Sequence, residues 1–417
     1  MNVTASSALL PSSPRFTALP PLALYIHIPW CVRKCPYCDF NSHEARGVLP
    51  EERYIAALIA DLEQALPQVW GRRIYSVFFG GGTPSVFSAR SIDAILSAVR
   101  ARLPLAADTE ITLEANPGTF EAEKFAAYRA AGVNRLSVGI QSFNPRHLEA
   151  LGRIHDECEA RRAIEIARTH FDNFNLDLMY ALPGQTLAEA RADIESALEY
   201  APPHLSVYHL TIEPNTYFHR FPPPLPDDDV SAAMQDETES LLAARGYVHY
   251  ETSAFARIRD PAHPSTAAYC RHNLNYWTFG DYLGIGAGAH SKISFADRVT
   301  RAMRYKQPKQ YMEEALKGRA VQTESPVYTR ELGFEFMMNA LRLTEGFEVG
   351  LFAERAGVPL NAVLRELDEA ERRGLIARDH RRVAPTPLGR RFLNDLLQIF
   401  LPEAATAPSA NERRRND

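Results

Sequence analysis

Short apolar runs alternate with amphipathic stretches along residues 23–214 of the chain. The apolar runs predict six β-strands, at residues 23–29, 75–80, 110–117, 135–143, 173–183 and 204–214. The stretches between them repeat apolar residues at helical spacing and predict helices at residues 51–66, 88–102, 121–131, 156–170 and 186–200. The runs look nearly continuous in apolar residues, as expected for strands of a parallel sheet that helices cover. Six such units predict an α/β fold with an open (β/α)6 barrel, short of the eight units that close one.

The pattern changes after residue 225. A helix is predicted near residues 230–245, an extended segment follows at 247–257, and the segment 271–290 is rich in aromatic residues and glycine. From about residue 326 the chain is mainly helical. Three helices with a small hairpin resemble a winged-helix arrangement, which predicts either a cap that packs on the barrel or a nucleic-acid-binding domain. We favour the cap, because the basic turn is short and the net charge of the chain is −5.

These changes predict five parts of the chain. They are a disordered Ser/Pro-rich lead at 1–22, the core barrel at 23–225, a barrel extension at 226–325, a C-terminal winged-helix-like domain at 326–402 and a disordered tail at 403–417. The lead lacks the pattern of a signal peptide, and no apolar run reaches the roughly 18 residues of a membrane-spanning helix. Five cysteines among 417 residues are too few for a secreted disulfide scaffold, so we expect the protein in the reducing cytoplasm.

The segment WCVRKCPYCDF carries the most specific chemistry, with Cys31, Cys35 and Cys38 in a Cys-x3-Cys-x2-Cys spacing. A dithiol reductase needs two thiols at the start of a helix, and no amphipathic helix follows here. Structural zinc takes four ligands, so this alternative requires His27 or His43 as the fourth. Three thiolates on one loop suit a [4Fe–4S] cluster in which one iron stays open to a further ligand.

Polar residues also follow the ends of several predicted strands. They are Cys31, Gly81, Glu114, Gln141 and Asp177. In barrels of this kind the carboxyl ends of the strands carry the active site, so these side chains are expected to converge on one rim. The two remaining cysteines are Cys158, which is expected to be buried on a helix, and Cys270.

A three-cysteine loop of this spacing after the first strand resembles the radical S-adenosylmethionine (radical SAM) superfamily. The resemblance implies that the open iron chelates the amino and carboxylate groups of S-adenosyl-L-methionine (SAM), which the reduced cluster can cleave to a 5′-deoxyadenosyl radical. It also implies that Gly81, Gly82 and Thr83 of GGGTPS lie at the SAM amino group and that Glu114 of LEANPG binds the ribose hydroxyls. The other implied SAM contacts are Gln141, Arg153, Asp177, Tyr25 and Tyr37.

Longer strings narrow the resemblance to the HemW-type heme chaperones. These strings are YIHIPWCVRKCPYCDFNSH, GGGTPS, LEANPG, GVNRLSVGIQSF, NLDLMYALPGQT and HNLNYW, and the match runs from about residue 21 to about 400. The resemblance implies a chaperone that binds the cluster, SAM and haem and delivers haem to acceptor proteins, among which membrane proteins are candidates. It further implies an electron donor such as a flavodoxin or ferredoxin and a monomer or cluster-dependent dimer. The net charge of −5 gives no reason to expect a nucleic acid partner.

The motif HNLNYW contains the residues that the resemblance assigns to haem: His272, Asn273, Tyr276 and Trp277. A neutral imidazole can ligate haem iron, and the two aromatic rings can stack on a porphyrin. The alternative is a core histidine among packed aromatic residues.

The sister enzyme of this family, oxygen-independent coproporphyrinogen III dehydrogenase, is the alternative function. Its motif continues to a further cysteine two residues after the third, where this chain has Phe40. It also has a longer arm before the cluster, whereas 30 residues precede Cys31 here. Both departures disfavour decarboxylation of a porphyrinogen.

Overall fold

Six parallel strands form the centre of the fold in the computed structural model, which describes residues 12–119, 121–258, 260 and 268–402. The strands are β1 (Leu22–Ile28), β4 (Ile74–Gly81), β5 (Leu105–Ala115), β6 (Arg135–Gln141), β7 (Phe174–Tyr180) and β8 (His204–His209). They pair in that order, each parallel to its neighbour. The six predicted strands are therefore confirmed, although β5 begins five residues earlier than predicted.

Helices cover the outer face of these strands, as predicted. They are α1 (Glu51–Val69), α2 (Ala89–Arg102), α3 (Ala122–Ala131), α5 (Glu157–His170) and α6 (Leu187–Leu198), with a short additional α4 (Pro145–Ala150). Capping boxes, formed by Asp156 with Glu159 and by Thr186 with Glu189, fix the starts of α5 and α6. Cys158 lies on the exposed side of α5, so the prediction that it is buried is wrong.

The inner face of the strands is polar, so the expectation of nearly continuous apolar strands is wrong. Alternate residues of a strand point to opposite faces. In β7, Phe174, Leu176 and Leu178 belong to the core beneath the helices, whereas Asn175 and Asp177 hydrogen-bond inside the barrel. The barrel interior therefore holds polar side chains that must bind one another, since helices cover the outside.

Further strands extend this sheet at both ends, giving twelve strands in the described part of the chain. Beyond β8 lie β10 (Ala254–Arg257) and β9 (Tyr247–Glu251), and beyond β1 lie β11 (Asp281–Ile285), β12 (His290–Ser294), β13 (Val299–Arg304) and β14 (Val321–Val327). The helices of this region are α7 (Tyr217–Arg220), α8 (Asp228–Ala244), α9 (Arg271–Trp277) and α10 (Pro308–Ala315). The helix predicted near 230–245 is confirmed, whereas the pattern gave no signal for β11–β14.

The C-terminal region has the element order of a winged helix. It comprises α11 (Thr329–Ala340), β15 (Phe347–Glu348), α12 (Val349–Ala356), α13 (Leu364–Arg372), β16 (Ile376–Arg378), β17 (Arg382–Pro385), α14 (Pro387–Arg391) and α15 (Leu393–Gln398). Arg378, in the predicted basic turn, pairs with Asp368 and Glu371 of the preceding segment. This pairing reduces the positive charge that a phosphate backbone would meet.

Part of the predicted disordered lead has a defined place. The backbone N–H of Arg15 donates to Gly357 O at 2.8 Å, and Phe16 packs against the C-terminal core. The N–H of Asp281 donates to Pro21 O at 2.8 Å. The prediction of disorder is therefore wrong for residues 12–21, while 1–11 and the predicted tail at 403–417 lie outside the described residues. No helix among those described is both long and apolar enough to cross a bilayer.

A buried carboxylate fixes the start of β11 to β12 and to Arg72. Asp281 accepts from Lys292 Nζ at 3.0 Å, from Arg72 Nη2 at 2.8 Å, and from the backbone N–H and hydroxyl of Ser294 at 2.9 and 2.8 Å. Asp281 and Lys292 are both fully buried, so each charge depends on the other.

Replacing Asp281 by alanine should lower the free energy of unfolding by about 3–5 kcal/mol, because Lys292 would be left as a buried cation without its carboxylate. Urea-induced unfolding followed by circular dichroism measures this change. The matched control is Asp297→Ala, which removes an exposed carboxylate paired with Arg298 and should cost less than about 1 kcal/mol. Equal losses in the two variants would contradict the structural role of Asp281.

Candidate functional site

A cavity of about 340 Å³ lies between the cysteine loop and the carboxyl ends of the central strands. All five residues predicted to converge on this rim line it: Cys31, Gly81, Glu114, Gln141 and Asp177. Cys35, Cys38, Tyr37, Gly82, Thr83 and Arg153 line it as well. The parallel order of the strands explains the convergence, because their carboxyl ends meet at one edge of the sheet.

The cysteine loop is closed at its base by two short parallel strands, β2 (Trp30–Cys31) and β3 (His43–Glu44). The N–H of Ala45 donates to Cys31 O at 2.8 Å and holds the two ends together. Trp30 packs against Tyr54 and Phe87, with ring centroids 4.8 and 5.9 Å apart. The aromatic anchor at Trp30 therefore places Cys31, while Cys35 and Cys38 lie on the loop above it.

Burial opposes ionisation of two of the three loop thiols. Burial raises the pKa of Cys31 and of Cys38, while hydrogen bonds with Thr83 and Ser42 act in the opposite direction. Metal binding to these residues would release protons, since thiolates are the ligating form. No three His, Cys, Asp or Glu side chains in the described ranges lie close enough to share a single metal ion. Cys31, Cys35 and Cys38 all line one cavity, so the three thiols that a cluster would need face a common space.

The two histidines of the zinc alternative do not line this cavity. His27 has both ring nitrogens engaged, Nδ1 with Tyr25 OH at 3.0 Å and Nε2 with Asn41 O at 2.9 Å. His43 is in β3, at the base of the loop. Neither is among the residues that line the cavity with the cysteines.

The glycine turn after β4 supports the cysteine loop from below. Gly81 has φ +116°, and a Cβ there would lie 2.5 Å from the His27 ring. The N–H of Gly82 donates to Ile28 O and that of Thr83 to Trp30 O, both at 2.8 Å. The two amides therefore bind the chain just before Cys31, while Gly81, Gly82 and Thr83 all line the cavity, where the sequence predicts the SAM amino group.

Two carboxyl groups share the wall formed by β5, β6 and β7. Burial and the neighbouring Asp177 raise the pKa of Glu114 to about 8, so Glu114 is mainly protonated at neutral pH. Asp177 accepts from Ser137 Oγ at 3.0 Å and from Asn175 Nδ2 at 2.8 Å. A protonated Glu114 can both donate and accept hydrogen bonds, as a pair of hydroxyl groups also does.

Arg153 connects the cysteine loop to the strand ends. Its Nη2 donates to Asn116 Oδ1 at 2.6 Å and to Gly139 O at 2.7 Å, and its Nη1 lies 3.6 Å from Cys35 Sγ. Asn116 Nδ2 in turn donates to Thr83 Oγ1 at 2.8 Å. Asn116 was not predicted as a site residue, although it follows the end of β5 within LEANPG, as the other rim residues follow the ends of their strands.

The two tyrosines predicted near SAM differ in their position relative to the cavity. Tyr37 lines the cavity and packs near Phe218, with ring centroids 6.4 Å apart. Tyr25 lies lower in the barrel, beneath Gly80, and is not among the residues that line the cavity. Its hydroxyl hydrogen-bonds to His27 Nδ1 at 3.0 Å.

The HNLNYW motif forms α9, which lies inside the opposite end of the barrel. His272 is 4% exposed, its Nδ1 bonds to Ser76 Oγ at 3.0 Å, and its ring stacks on Phe78 at 4.8 Å. Burial and the charge of Arg135 lower the pKa of His272 to about 3, so the imidazole is neutral. The structure does not bring this motif to the cavity of the cysteines.

The other motif residues pack around α9. Tyr276 stacks on Tyr282, with ring centroids 4.3 Å apart, and the guanidinium of Arg342 lies 5.3 Å from the Trp277 ring centroid. Asn273 is half-buried beside them. Cys270, just before α9, donates to Glu110 at 3.6 Å, as does the N–H of His272 at 3.2 Å.

Known protein families match both the barrel and the C-terminal region of the chain. The model of the radical SAM superfamily matches residues 25–197, and that of the HemN C-terminal domain matches residues 329–392. The heme chaperone HemW of Escherichia coli K12 is 48% identical over 387 residues, which cover 92% of this chain and 99% of that protein. The mitochondrial radical S-adenosyl methionine domain-containing protein 1 of Bos taurus is 35% identical, over 91% of this chain and 87% of its own.

The solved structure of coproporphyrinogen III oxidase (HemN) from Escherichia coli, described as a radical SAM enzyme, is also similar. It has a TM-score of 0.76 and 25% identity, and the superposition covers 92% of this chain and 90% of that one. Together, the three-cysteine loop on a parallel barrel, the C-terminal domain and these matches show that the chain belongs to the radical SAM superfamily and, within it, to the family of the HemW heme chaperones.

Proposed function

We propose that this protein is a heme chaperone that binds a [4Fe–4S] cluster, SAM and haem and passes haem to acceptor proteins. The observation that carries the proposal is the 48% identity with the heme chaperone HemW of Escherichia coli across 92% of this chain. An alignment of that extent includes the cysteine loop, the barrel and the C-terminal domain. The cavity that joins three cysteines to the strand ends supports it, since it offers room for a ligand beside a cluster.

Cys31, Cys35 and Cys38 are the proposed cluster ligands, and they leave one iron open. When bound, the cluster would supply an electron and a coordination position for the amino and carboxylate groups of SAM. Arg153, close to Cys35 Sγ, would stabilise thiolate charge on this side of the loop. Trp30 and Phe87 would keep water from the base of the loop, because they pack beneath it.

The strand ends are the proposed SAM site. Glu114 would bind the ribose hydroxyls, since its protonated form can donate one hydrogen bond and accept others. Gln141, Arg153, Asp177 and Tyr37 line the same wall and would hold the remaining polar groups. Gly81, Gly82 and Thr83 also line the cavity and would lie at the SAM amino group, and Tyr25 would support them from its place beside Gly80.

His272 is the proposed haem ligand, because a neutral imidazole is the form that binds iron. Its burial adds a condition, since haem can reach the imidazole only if α9 moves away from Phe78 and Ser76. Tyr276, Trp277 and Asn273 lie on the same helix and would be uncovered by the same displacement. The proposed haem site therefore forms only after α9 has moved.

The wider role follows from the same proposal. The acceptors would be haem-dependent proteins, with membrane proteins among the candidates, and a flavodoxin or ferredoxin would reduce the cluster. The chain would act in the cytoplasm, as a monomer or as a dimer that depends on the cluster, and without a nucleic acid partner.

A second candidate function is oxidation of coproporphyrinogen III. The similarity to the solved HemN structure favours it, with a TM-score of 0.76. Against it stands Phe40, which is exposed and lines the cavity at the position where the dehydrogenase motif has a further cysteine. We therefore rank it below the chaperone function.

Substituting any one of Cys31, Cys35 and Cys38 by serine should abolish cluster assembly, because two thiolates cannot hold a cluster that three share. Anaerobic reconstitution followed by iron and sulfide analysis should give about four irons per wild-type chain and almost none in these variants. Cys158→Ser, on the exposed side of α5, is the matched control and should reconstitute fully. Wild-type iron content in all three loop variants would contradict the assignment.

Glu114→Gln should remove a pH-dependent loss of stability. The pKa of Glu114 is about 8 in the folded protein against an ordinary value of 4.5, so the unfolded chain gives up the proton first. Stability therefore falls as pH rises from about 4.5 to about 8, at most by about 1.4 kcal/mol per pH unit. The glutamine variant lacks this contribution, since it does not ionise.

The measurement is the free energy of urea unfolding at several pH values between 5 and 9 for both proteins. The wild type should lose stability relative to Glu114→Gln as pH rises, with the difference levelling off above pH 8. Glu324→Gln, at an exposed position of β14, should show no such trend. A difference that stays constant with pH would show that Glu114 is ionised throughout.

Haem should bind to the reconstituted protein with saturation at one haem per chain, and His272→Ala should change the Soret band and weaken the affinity at least tenfold. A titration followed by absorbance measures both. His380→Ala removes an exposed histidine and is the matched control. Thermal unfolding of each variant shows whether loss of the His272–Ser76 hydrogen bond has unfolded the protein instead.

Unsaturable binding that is identical in wild type and His272→Ala would overturn the chaperone proposal at this site. The dehydrogenase function would then be tested with coproporphyrinogen III, SAM and a reductant under anaerobic conditions. Formation of the vinyl product would place that function first.

A further inference from the structure

The backbone of Gln141 has an uncommon conformation where the side chain meets the cavity. Gln141 has φ 69°, in the left-handed region that favours glycine, and it is the last residue of β6. A side chain disfavours this region because its Cβ approaches the following carbonyl oxygen. Neighbouring contacts must therefore hold the turn in place, and such conformations tend to occur at functional sites.

The contact that holds this turn is a carboxylate on α6. Asp193 is 4% exposed and accepts from Ser142 Oγ and from the backbone N–H of Phe143, both at 2.7 Å. Both donors belong to the two residues that follow Gln141. The hydroxyl of Ser142 also accepts from the N–H of Asn144 at 3.0 Å, so the whole turn is joined to α6.

The same carboxylate reaches the turn after the next strand. Gln185 Nε2 lies 3.4 Å from Asp193 Oδ2, and Gln185 Oε1 accepts from the N–H of Leu182 at 3.1 Å. This turn contains Ala181, a second residue other than glycine with a left-handed backbone, at φ 57°. Met179, two residues earlier, lines the cavity. Asp193 therefore links two adjacent strand ends that both bear cavity residues.

We propose that Asp193 is a positioning residue of the SAM site, which holds the turn after β6 so that the side chain of Gln141 faces the cavity. The inference rests on the proposed function, because it takes Gln141 as a contact of SAM. Asp193 itself does not line the cavity, so it acts through Gln141 and its turn.

A carboxylate is well matched to this place, and an amide is not. Ser142, Phe143 and Gln185 all present N–H or O–H groups to Asp193, and a carboxylate accepts from every direction. An asparagine would point its own N–H₂ group at one of these donors. Burial raises the pKa of Asp193 to about 6 despite these hydrogen bonds, so placing the charge here is opposed by desolvation.

The test is a double-mutant cycle on SAM affinity in the reconstituted protein. The variants are Gln141→Ala, Asp193→Asn and the double variant, with Asp93→Asn on the exposed face of α2 as the control. Equilibrium dialysis with labelled SAM gives the affinity, and the SAM-induced change in the electron paramagnetic resonance spectrum of the reduced cluster gives an independent reading. Thermal unfolding of each variant separates loss of folding from loss of binding.

Each single variant should weaken SAM binding about tenfold, the size expected for a hydrogen bond to a polar or charged ligand. The double variant should bind SAM no more weakly than Gln141→Ala, because Asp193 acts through the same side chain. The Asp93→Asn control should bind as the wild type does. If Asp193→Asn does not fold, Ser142→Ala replaces it in the cycle, with a loss of about fivefold that Gln141→Ala should again absorb.

Two results would overturn the inference, and they distinguish an error about Asp193 from an error about the SAM contact of Gln141. If the losses of the two single variants multiply in the double variant, Asp193 acts independently of Gln141, while the SAM assignment of Gln141 stands. If Gln141→Ala binds SAM as the wild type does, the proposed SAM contact itself is wrong, and Asp193 has nothing to position.

Discussion

Polar groups that point into this barrel depend on partners inside it, because helices close the outer face of the strands. This constraint governs the arrangement of the rest of the molecule. Asp177 is satisfied by Ser137 and Asn175, and His204 by Asn175 and Tyr250. At one end of the barrel the interior opens to the cysteine loop, where polar groups can meet a ligand. At the other end α9 enters and supplies the partners that the strands lack.

Much of the fold could be predicted, because the relevant signals are local. The strands and helices of the barrel have their own periodicities, and the three cysteines lie within eight residues of one another. The position of α9 could not be predicted, since the hydrogen bond between Ser76 and His272 joins residues 196 positions apart. The outer strands also gave no local signal: β11 is buried throughout and β14 is mostly exposed, so neither shows the alternation of a half-buried strand.

The candidate site, too, could be predicted only in part. The carboxyl ends of the strands in a parallel sheet lie at one edge. Polar residues at those ends therefore predicted most of the residues that line the cavity. The role of each residue depends on contacts with residues distant in the chain, which local sequence patterns do not predict. Gly82 and Thr83 match a ligand-binding motif, yet their amides hold the segment before Cys31. Asp193 lies in the middle of a helix, with no local feature to show that it holds the turn of another strand.

The pairing of β1 has a consequence for folding while the chain is being synthesised. One neighbour of β1 is β4, but the other is β11, which follows roughly 250 residues later. A ribosome that adds about 5–20 residues per second therefore needs roughly 10–50 seconds to deliver that partner. During this interval one edge of the first strand has no neighbour, and an open edge can pair with another chain. The strand that leads into the cysteine loop is thus among the first parts to be made, whereas its second edge can be paired only after β11 has been made.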